Sequence, residues 1–177
     1  LPHRKFIVRI LPAFAIQLMG GVQPKRGRLR LARRQATLLR RRLTTLDAQA
    51  WTMISQSEHE VANQMLLAAS VKHSHLLGDF LLKVYAHRQR RLEPALAPVD
   101  WHDFLAECAH RDPAVAGWSE STRAKLFQVI VRILVEAKYL DNARTMKLTP
   151  RSLHPDVRRY LAARHETYVL DCLERAP

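Results

Sequence analysis

Five arginines near the start of the chain have the side-chain chemistry of a polyanion-binding surface. A guanidinium is planar, stays charged and can donate two parallel hydrogen bonds to phosphate oxygens. On a helix turning about 100° per residue, the five project to one flank of an apolar stripe that runs from Leu29 to Leu46. We therefore predict that these side chains contact nucleic-acid phosphates: Arg30, Arg33, Arg34, Arg40 and Arg41.

The positive charge of the chain is concentrated around these arginines. Residues 1–46 contain 12 of the 29 Lys and Arg residues and none of the 16 acids, so the rest of the chain is nearly neutral. The formal net charge of +13 is thus a local feature, which is typical of a nucleic-acid footprint. A solvated helix face is the alternative, but such a face usually carries acids four residues from its bases, and none occurs here.

A second set of polar residues recurs with helical spacing in the segment Gly117–Leu140. A compact helix and a turn precede this segment, as in a helix-turn-helix that presents side chains to a major groove. Side chains of these types can contact phosphates or base edges. A core helix with an ordinary solvated side fits the spacing equally well, and that alternative stays open. The predicted contact residues are Ser121, Lys125, Gln128 and Arg132.

The elements that position both sets are predicted to be helical throughout. Abundant Leu, Ala and Arg with five glycines indicate an all-α, compact multi-helix domain containing helix-turn-helix elements. The proline-rich linker at 93–98 predicts an N-terminal lobe (1–92) with the Arg-rich helix and a C-terminal helix-turn-helix-like lobe (93–177). Residues 146–150 are either a short strand of a β-wing or an irregular loop. Asp100 is expected to cap the helix that follows the linker.

No pattern in the sequence supports catalysis. Phosphate-loop, dinucleotide-binding, zincin and hydrolase motifs are missing from the sequence, so we predict a non-enzymatic protein without cofactor or small-molecule substrate. His102, Cys108 and His110 form the tightest group of metal-binding residue types, but they have no second half with ligand spacing. No metal site is predicted.

Compartment and membrane association follow from two further features. Two cysteines, Cys108 and Cys172, are too few for a disulfide framework and predict buried thiols in the reducing cytoplasm. The apolar stretch Phe6–Gly20 is interrupted by Arg9 and Pro12, so it is predicted to be neither a signal peptide nor a membrane span. A basic amphipathic segment on a membrane surface is the minor alternative.

Several segments together resemble the BrxA family of bacteriophage exclusion (BREX) defence systems. The resemblance runs from Arg28 onward, whereas Leu1–Gly27 departs from the longer helical opening of the family. It implies an all-helical, cytoplasmic, non-enzymatic protein that binds double-stranded DNA through helix-turn-helix elements and assembles with other BREX proteins, a DNA methyltransferase among them. The segments are ARRQATLLRRRLTTL (32–46), KHSHLLGDFLL (72–82), DWHDFLAECAHRDPAVAGWSESTRAKL (100–126), RILVEAKYLD (132–141) and SLHPDVRRYLAARHETYVLDCL (152–173).

We accordingly expect a sequence-tolerant binder of double-stranded DNA that relies largely on phosphate contacts. An RNA-binding helical factor is one alternative, although exposed aromatic stacking platforms are not evident in the sequence. A basic scaffold that docks an acidic protein partner is the other.

Overall fold

The computed structural model describes residue 37 and residues 40–174, and these residues form an all-α fold. Residues 40–43 are helical and end in a turn before Leu46. We number the helices that follow in chain order and add one π-helical turn, Leu81–Tyr85, between α3 and α4. The helices are α1 (Ala48–Gln56), α2 (His59–His73), α3 (His75–Phe80), α4 (Ala86–Arg90), α5 (Pro98–Arg111), α6 (Pro113–Ala116), α7 (Glu120–Glu136), α8 (Pro155–Ala163) and α9 (Thr167–Glu174).

Polar side chains at the helix ends explain where several helices start. Asp47 caps α1 by accepting a 2.9 Å hydrogen bond from the Ala50 N–H. Ser74 separates α2 from α3 because its hydroxyl accepts from the Leu77 N–H and its backbone is extended. The prediction that Asp100 caps α5 is wrong, because the helix begins at Pro98, two residues before Asp100. Pro98 occupies its first turn and the Asp100 carboxylate accepts from the Ala97 N–H at 2.7 Å.

One buried glutamine fixes the chain before α8 to α2. Gln64 is 2% exposed, and both ends of its amide are used. Its Nε2 donates to the Ser152 carbonyl at 3.0 Å, and its Oε1 accepts from the His154 N–H at 2.8 Å. A buried amide that satisfies both donor and acceptor in this way stabilises a specific arrangement of its neighbours.

The core is a continuous set of aliphatic and aromatic side chains that spans both predicted lobes. Phe80 packs edge-on against Trp101 and Phe104, with ring centroids 5.8 and 5.4 Å apart. Tyr85 donates a 2.8 Å hydrogen bond to the Tyr139 carbonyl. These contacts cross the linker at 93–98, where the proposed lobe boundary stays a prediction.

The segment after α7 contains residues 146–150, which were predicted to form either a short strand of a β-wing or an irregular loop. The described residues contain no strand, and two isolated antiparallel bridges, Ala95 to Lys147 and Leu140 to Leu148, hold the segment in place. The Leu96 N–H donates to the Met146 carbonyl at 3.0 Å, which adds to the first bridge. The loop at 141–146 is therefore tied at its base to the end of α7 and to the linker before α5.

Candidate nucleic-acid interface

Helix α7 packs one face against the core and exposes the opposite face to solvent. Ser119 caps it by accepting from the Thr122 N–H, as its sequence indicates. On the inner side, the Trp101 ring stacks on Phe127 with centroids 5.5 Å apart, and Trp101 Nε1 donates to the Arg123 carbonyl at 3.0 Å. Two kinds of contact from α5 thus fix the rotation of α7 about its axis.

The four polar residues predicted on this helix lie together on its exposed face. Ser121, Lys125, Gln128 and Arg132 are all exposed, while Ile130, Ile133 and Leu134 on the other side are buried. Lys125 has no ion-pair partner among the described residues. Arg132 lies within electrostatic reach of Glu136, one helical turn further on. The structure brings these four together, and nothing in it tests what they bind.

The Arg-rich segment is described only at its end. Arg40 and Arg41 are helical and exposed, whereas Arg30, Arg33 and Arg34 lie outside the described residues. Arg42 points towards the body of the protein, where burial lowers the pKa of its guanidinium and the nearby Glu136 carboxylate acts against that shift. Adjacent arginines thus have different environments, and the two that are exposed belong to the predicted set.

The end of the Arg-rich segment is anchored by contacts with residues far along the chain. Lys72 Nζ donates to the Thr45 carbonyl at 3.1 Å and pairs with Glu166. Asp47 pairs with Arg164, and the Arg164 guanidinium also stacks on Tyr160 at 4.3 Å from the ring centroid. These contacts hold residues 45–47 against α2, α8 and the start of α9, so Arg40 and Arg41 project from an ordered base.

Most cations outside the candidate interface are paired with acids in the part of the chain that the structure describes. The basic run His87–Arg91 is largely neutralised, because Arg88 pairs with Glu93 and Asp100, and Arg91 pairs with Glu93 at 2.9 Å. Other cations in ion pairs are Lys72, Lys83, Arg111, Arg151, Arg158, Arg159 and Arg164. Among residues 40–174, the cations without an ion pair include Arg40 and Arg41 and, in or after α7, Lys125, Lys138 and Arg144.

Two cations that we did not predict lie just after α7. Lys138 and Arg144 are exposed in and beside the loop that follows α7, and the described part of the chain offers neither of them an ion-pair partner. The loop is fixed to the helix by the Tyr139 N–H, which donates to the Leu134 carbonyl at 2.8 Å. No spacing pattern in the sequence marks these residues, because they lie outside any periodic element.

Other features of the described residues offer little chemistry. Cys108 and Cys172 are free and buried, as predicted, and burial raises the pKa of the Cys172 thiol to about 12. A groove of about 380 Å³ between the π-helical turn and α5 is lined by charges already engaged with one another, such as Lys83 with Glu107. No group of His, Cys, Asp or Glu between 40 and 174 has a metal-holding arrangement. Over the same range, no helix has the length and apolar character needed to cross a bilayer.

Comparison with known proteins gives a consistent result. The model of the BrxA family matches residues 27–165. The chain is 38% identical over 143 residues to the BREX protein BrxA of Paramagnetospirillum magneticum, covering 81% of this chain and 72% of that protein. It is 32% identical over 143 residues to the BREX protein BrxA of Escherichia coli O9:H4, covering 81% and 67%.

A solved structure is similar over nearly the whole chain. It is the crystal structure of an uncharacterized protein from Magnetospirillum magneticum, with a TM-score of 0.76 and 34% sequence identity. The match covers 98% of this chain and 92% of that one.

Proposed function

This chain belongs to the BrxA family, and we propose that it is a double-stranded-DNA-binding component of a BREX anti-phage system that catalyses no reaction itself. Its partners would be duplex DNA and other BREX proteins. The family membership supports a role within the defence system. The DNA binding is argued from the residues of this chain.

The observation that carries the proposal is the exposed polar face of α7. Four hydrogen-bonding side chains, two of them cationic, lie in one row on a helix whose opposite face is held by Trp101 and the core. The order of elements also supports it: α5, the short α6 with its turn, and α7 follow one another as in a helix-turn-helix. The bridged loop with Lys138 and Arg144 comes next, where a wing would touch the neighbouring backbone.

The Arg-rich segment would add phosphate contacts beside this helix. Arg40 and Arg41 are exposed on an anchored base, and we propose the same role for Arg30, Arg33 and Arg34. Neutralising five or six phosphates would make the logarithm of the binding constant fall against log salt with a slope of about −4 to −5. Such contacts are insensitive to sequence, so binding should be largely sequence-tolerant.

A competition experiment tests the proposal. The protein is bound to a fluorescent 30-base-pair duplex at low salt and challenged with unlabelled duplex DNA or structured RNA of equal length. We expect duplex DNA to compete at least tenfold better. Better competition by RNA would favour an RNA-binding factor. No binding of either nucleic acid would favour the acidic-partner scaffold.

Paired charge variants locate the interface. Lys125→Ala/Arg132→Ala removes two cations from the exposed face of α7, and we expect a loss of affinity of tenfold or more. Lys83→Ala/Arg151→Ala removes the same charge from two ion-paired surface positions elsewhere. It should weaken binding less than threefold. Equal losses in both double variants would mean that only net charge matters.

A further inference from the structure

Val129 is an apolar side chain on the polar outer face of α7. It is 45% exposed, although the neighbouring valine on the helix, Val131, is 4% exposed. Lys125 precedes it by one helical turn, Gln128 is adjacent, and Arg132 follows three residues later. At about 100° per residue, these four side chains lie within an arc of about 100°. Val129 is therefore part of the proposed DNA-facing surface and not of the core.

Within residues 40–174, no neighbouring element covers this side chain. Rotation of α7 would break the stacking of Trp101 on Phe127 and the hydrogen bond from Trp101 Nε1 to the Arg123 carbonyl. It would also expose Ile130 and Leu134, which are buried. With α7 held in this orientation Val129 stays in contact with water, and contact with a DNA surface would remove that water.

The residues around Val129 define the chemistry of that surface. Lys125, one turn before it, and Arg132, three residues after it, favour negative charge nearby, and Gln128 beside it can bond both N6 and N7 of adenine. The major groove of DNA combines these features, since phosphates border a floor where thymine presents an apolar C5-methyl group. Uracil in RNA lacks this methyl group.

We infer that Val129 packs against the C5-methyl group of a thymine when α7 enters the major groove, an inference that rests on the proposed function. The contact gives the surface a preference for A·T pairs at one position. It adds to phosphate binding, so the protein stays tolerant of sequence elsewhere.

The test removes only the methyl groups from the DNA. Two fluorescent duplexes carry the same A·T-rich sequence, one with thymine and one with deoxyuridine throughout, so charges and hydrogen-bonding groups are identical. Anisotropy titrations with the full chain should show about three- to fivefold tighter binding to the thymine duplex, as expected for the burial of one methyl group. In Val129→Ala, the ratio of the two affinities should fall to about one.

A matched control separates this contact from general effects of an exposed valine. Val99, in the first turn of α5, is 53% exposed and lies off the α7 face. Val99→Ala should keep the wild-type ratio. Val129→Thr, which retains one methyl group and the branched shape, should give an intermediate ratio and serves if Val129→Ala fails to fold by circular dichroism.

The outcomes distinguish this inference from the proposed function. Binding to both duplexes with a ratio near one overturns the thymine contact and leaves DNA binding intact. A ratio that is the same in wild type and Val129→Ala also overturns it, because the difference then arises in the DNA. Absence of binding to either duplex overturns the proposed function and the inference together.

Discussion

Arg42 lies within electrostatic reach of Glu136, the last residue of α7, so the end of the Arg-rich segment and the proposed DNA-facing helix are linked by charge. Burial lowers the pKa of Arg42 and raises that of Glu136, and in each case the opposite charge of the other acts against the shift. Arg42 Nε and Glu136 Oε2 are buried without a hydrogen-bond partner in the described structure. The pair therefore interacts through charge.

The Glu136 charge should be coupled to Arg42 in its effect on stability. Burial raises the pKa of Glu136, so Glu136→Gln relieves a partly buried charge while it deprives the half-buried Arg42 guanidinium of a counter-charge. Glu136→Gln should therefore be less favourable, by about 1 kcal/mol or less, in the wild-type background than in an Arg42→Ala background. Urea unfolding of the four proteins measures the coupling. Equal effects in both backgrounds would contradict the pairing.

Asp47 should contribute to stability at neutral pH and lose that contribution in acid. Slight burial acts to raise the pKa of its carboxyl, but bonds from the Ala50 N–H, Arg164 and Tyr160 bring it below the ordinary value of 3.8. A group whose pKa is lower in the folded state stabilises above its unfolded pKa, and this stabilisation disappears as the pH falls through the folded value.

The corresponding measurement is urea unfolding at pH 7 and at about pH 3. Asn is also a good N-cap, so Asp47→Asn should cost about 1 kcal/mol or less at pH 7 and should lose less stability on acidification than wild type. Asp103→Asn alters an exposed acid for which the described residues provide no ion pair. This control should lose as much stability on acidification as wild type. If Asp47→Asn also loses as much stability as wild type between pH 7 and about pH 3, the assignment of this stabilisation to Asp47 is refuted.

Gly78 should not tolerate even a methyl group. A Cβ there would lie 2.4 Å from Tyr168 Oη, because α9 packs closely on α3 at this point. Helical Gly→Ala changes usually stabilise by about 1 kcal/mol, yet Gly78→Ala should destabilise by about 1–3 kcal/mol. Gly117, where the nearest atom is 3.6 Å away, is the control and should change little.

Gly78→Ala in a Tyr168→Ala background tests whether the clash with Tyr168 causes the loss of stability. In Tyr168→Ala the space opens, so adding Gly78→Ala should be neutral or stabilising when measured by urea unfolding. A loss of stability as large as that in the wild-type background would place the cause elsewhere.

The local features of this fold could be predicted from the sequence. Helix α8 begins at Pro155 and α7 buries one face, and both features follow from local signals, a proline at a helix start and a 3.6-residue apolar period. The Asp100 cap was wrong by three residues because Pro98 is itself a good helix start and extends α5 backwards.

Contacts between distant parts of the chain could not be predicted from the sequence. Lys72 and Glu166 are 94 residues apart, and Asp47 and Arg164 are 117 apart, so no periodicity links them. The different environments of Arg41 and Arg42 follow from such contacts, since the sequence places both in one basic run. Lys138 and Arg144 were not predicted for the same reason, because contacts with distant residues, such as the bridge between Ala95 and Lys147, help to hold their loop.

The central claim is that exposed arginines of the Arg-rich segment bind the phosphates of duplex DNA. It is tested most directly by the salt dependence of affinity for one fluorescent duplex between about 50 and 200 mM salt. The variants are Arg40→Ala/Arg41→Ala, which loses two exposed guanidiniums, and Arg42→Ala, which loses a largely buried one. Circular dichroism verifies that each variant remains helical.

We expect the double variant to flatten the slope by about 1.8, since each lost phosphate contact contributes about 0.9. Arg42→Ala should keep the wild-type slope even if it unfolds more easily. An unchanged slope in Arg40→Ala/Arg41→Ala, or an equal change per arginine in Arg42→Ala, would contradict the assigned surface.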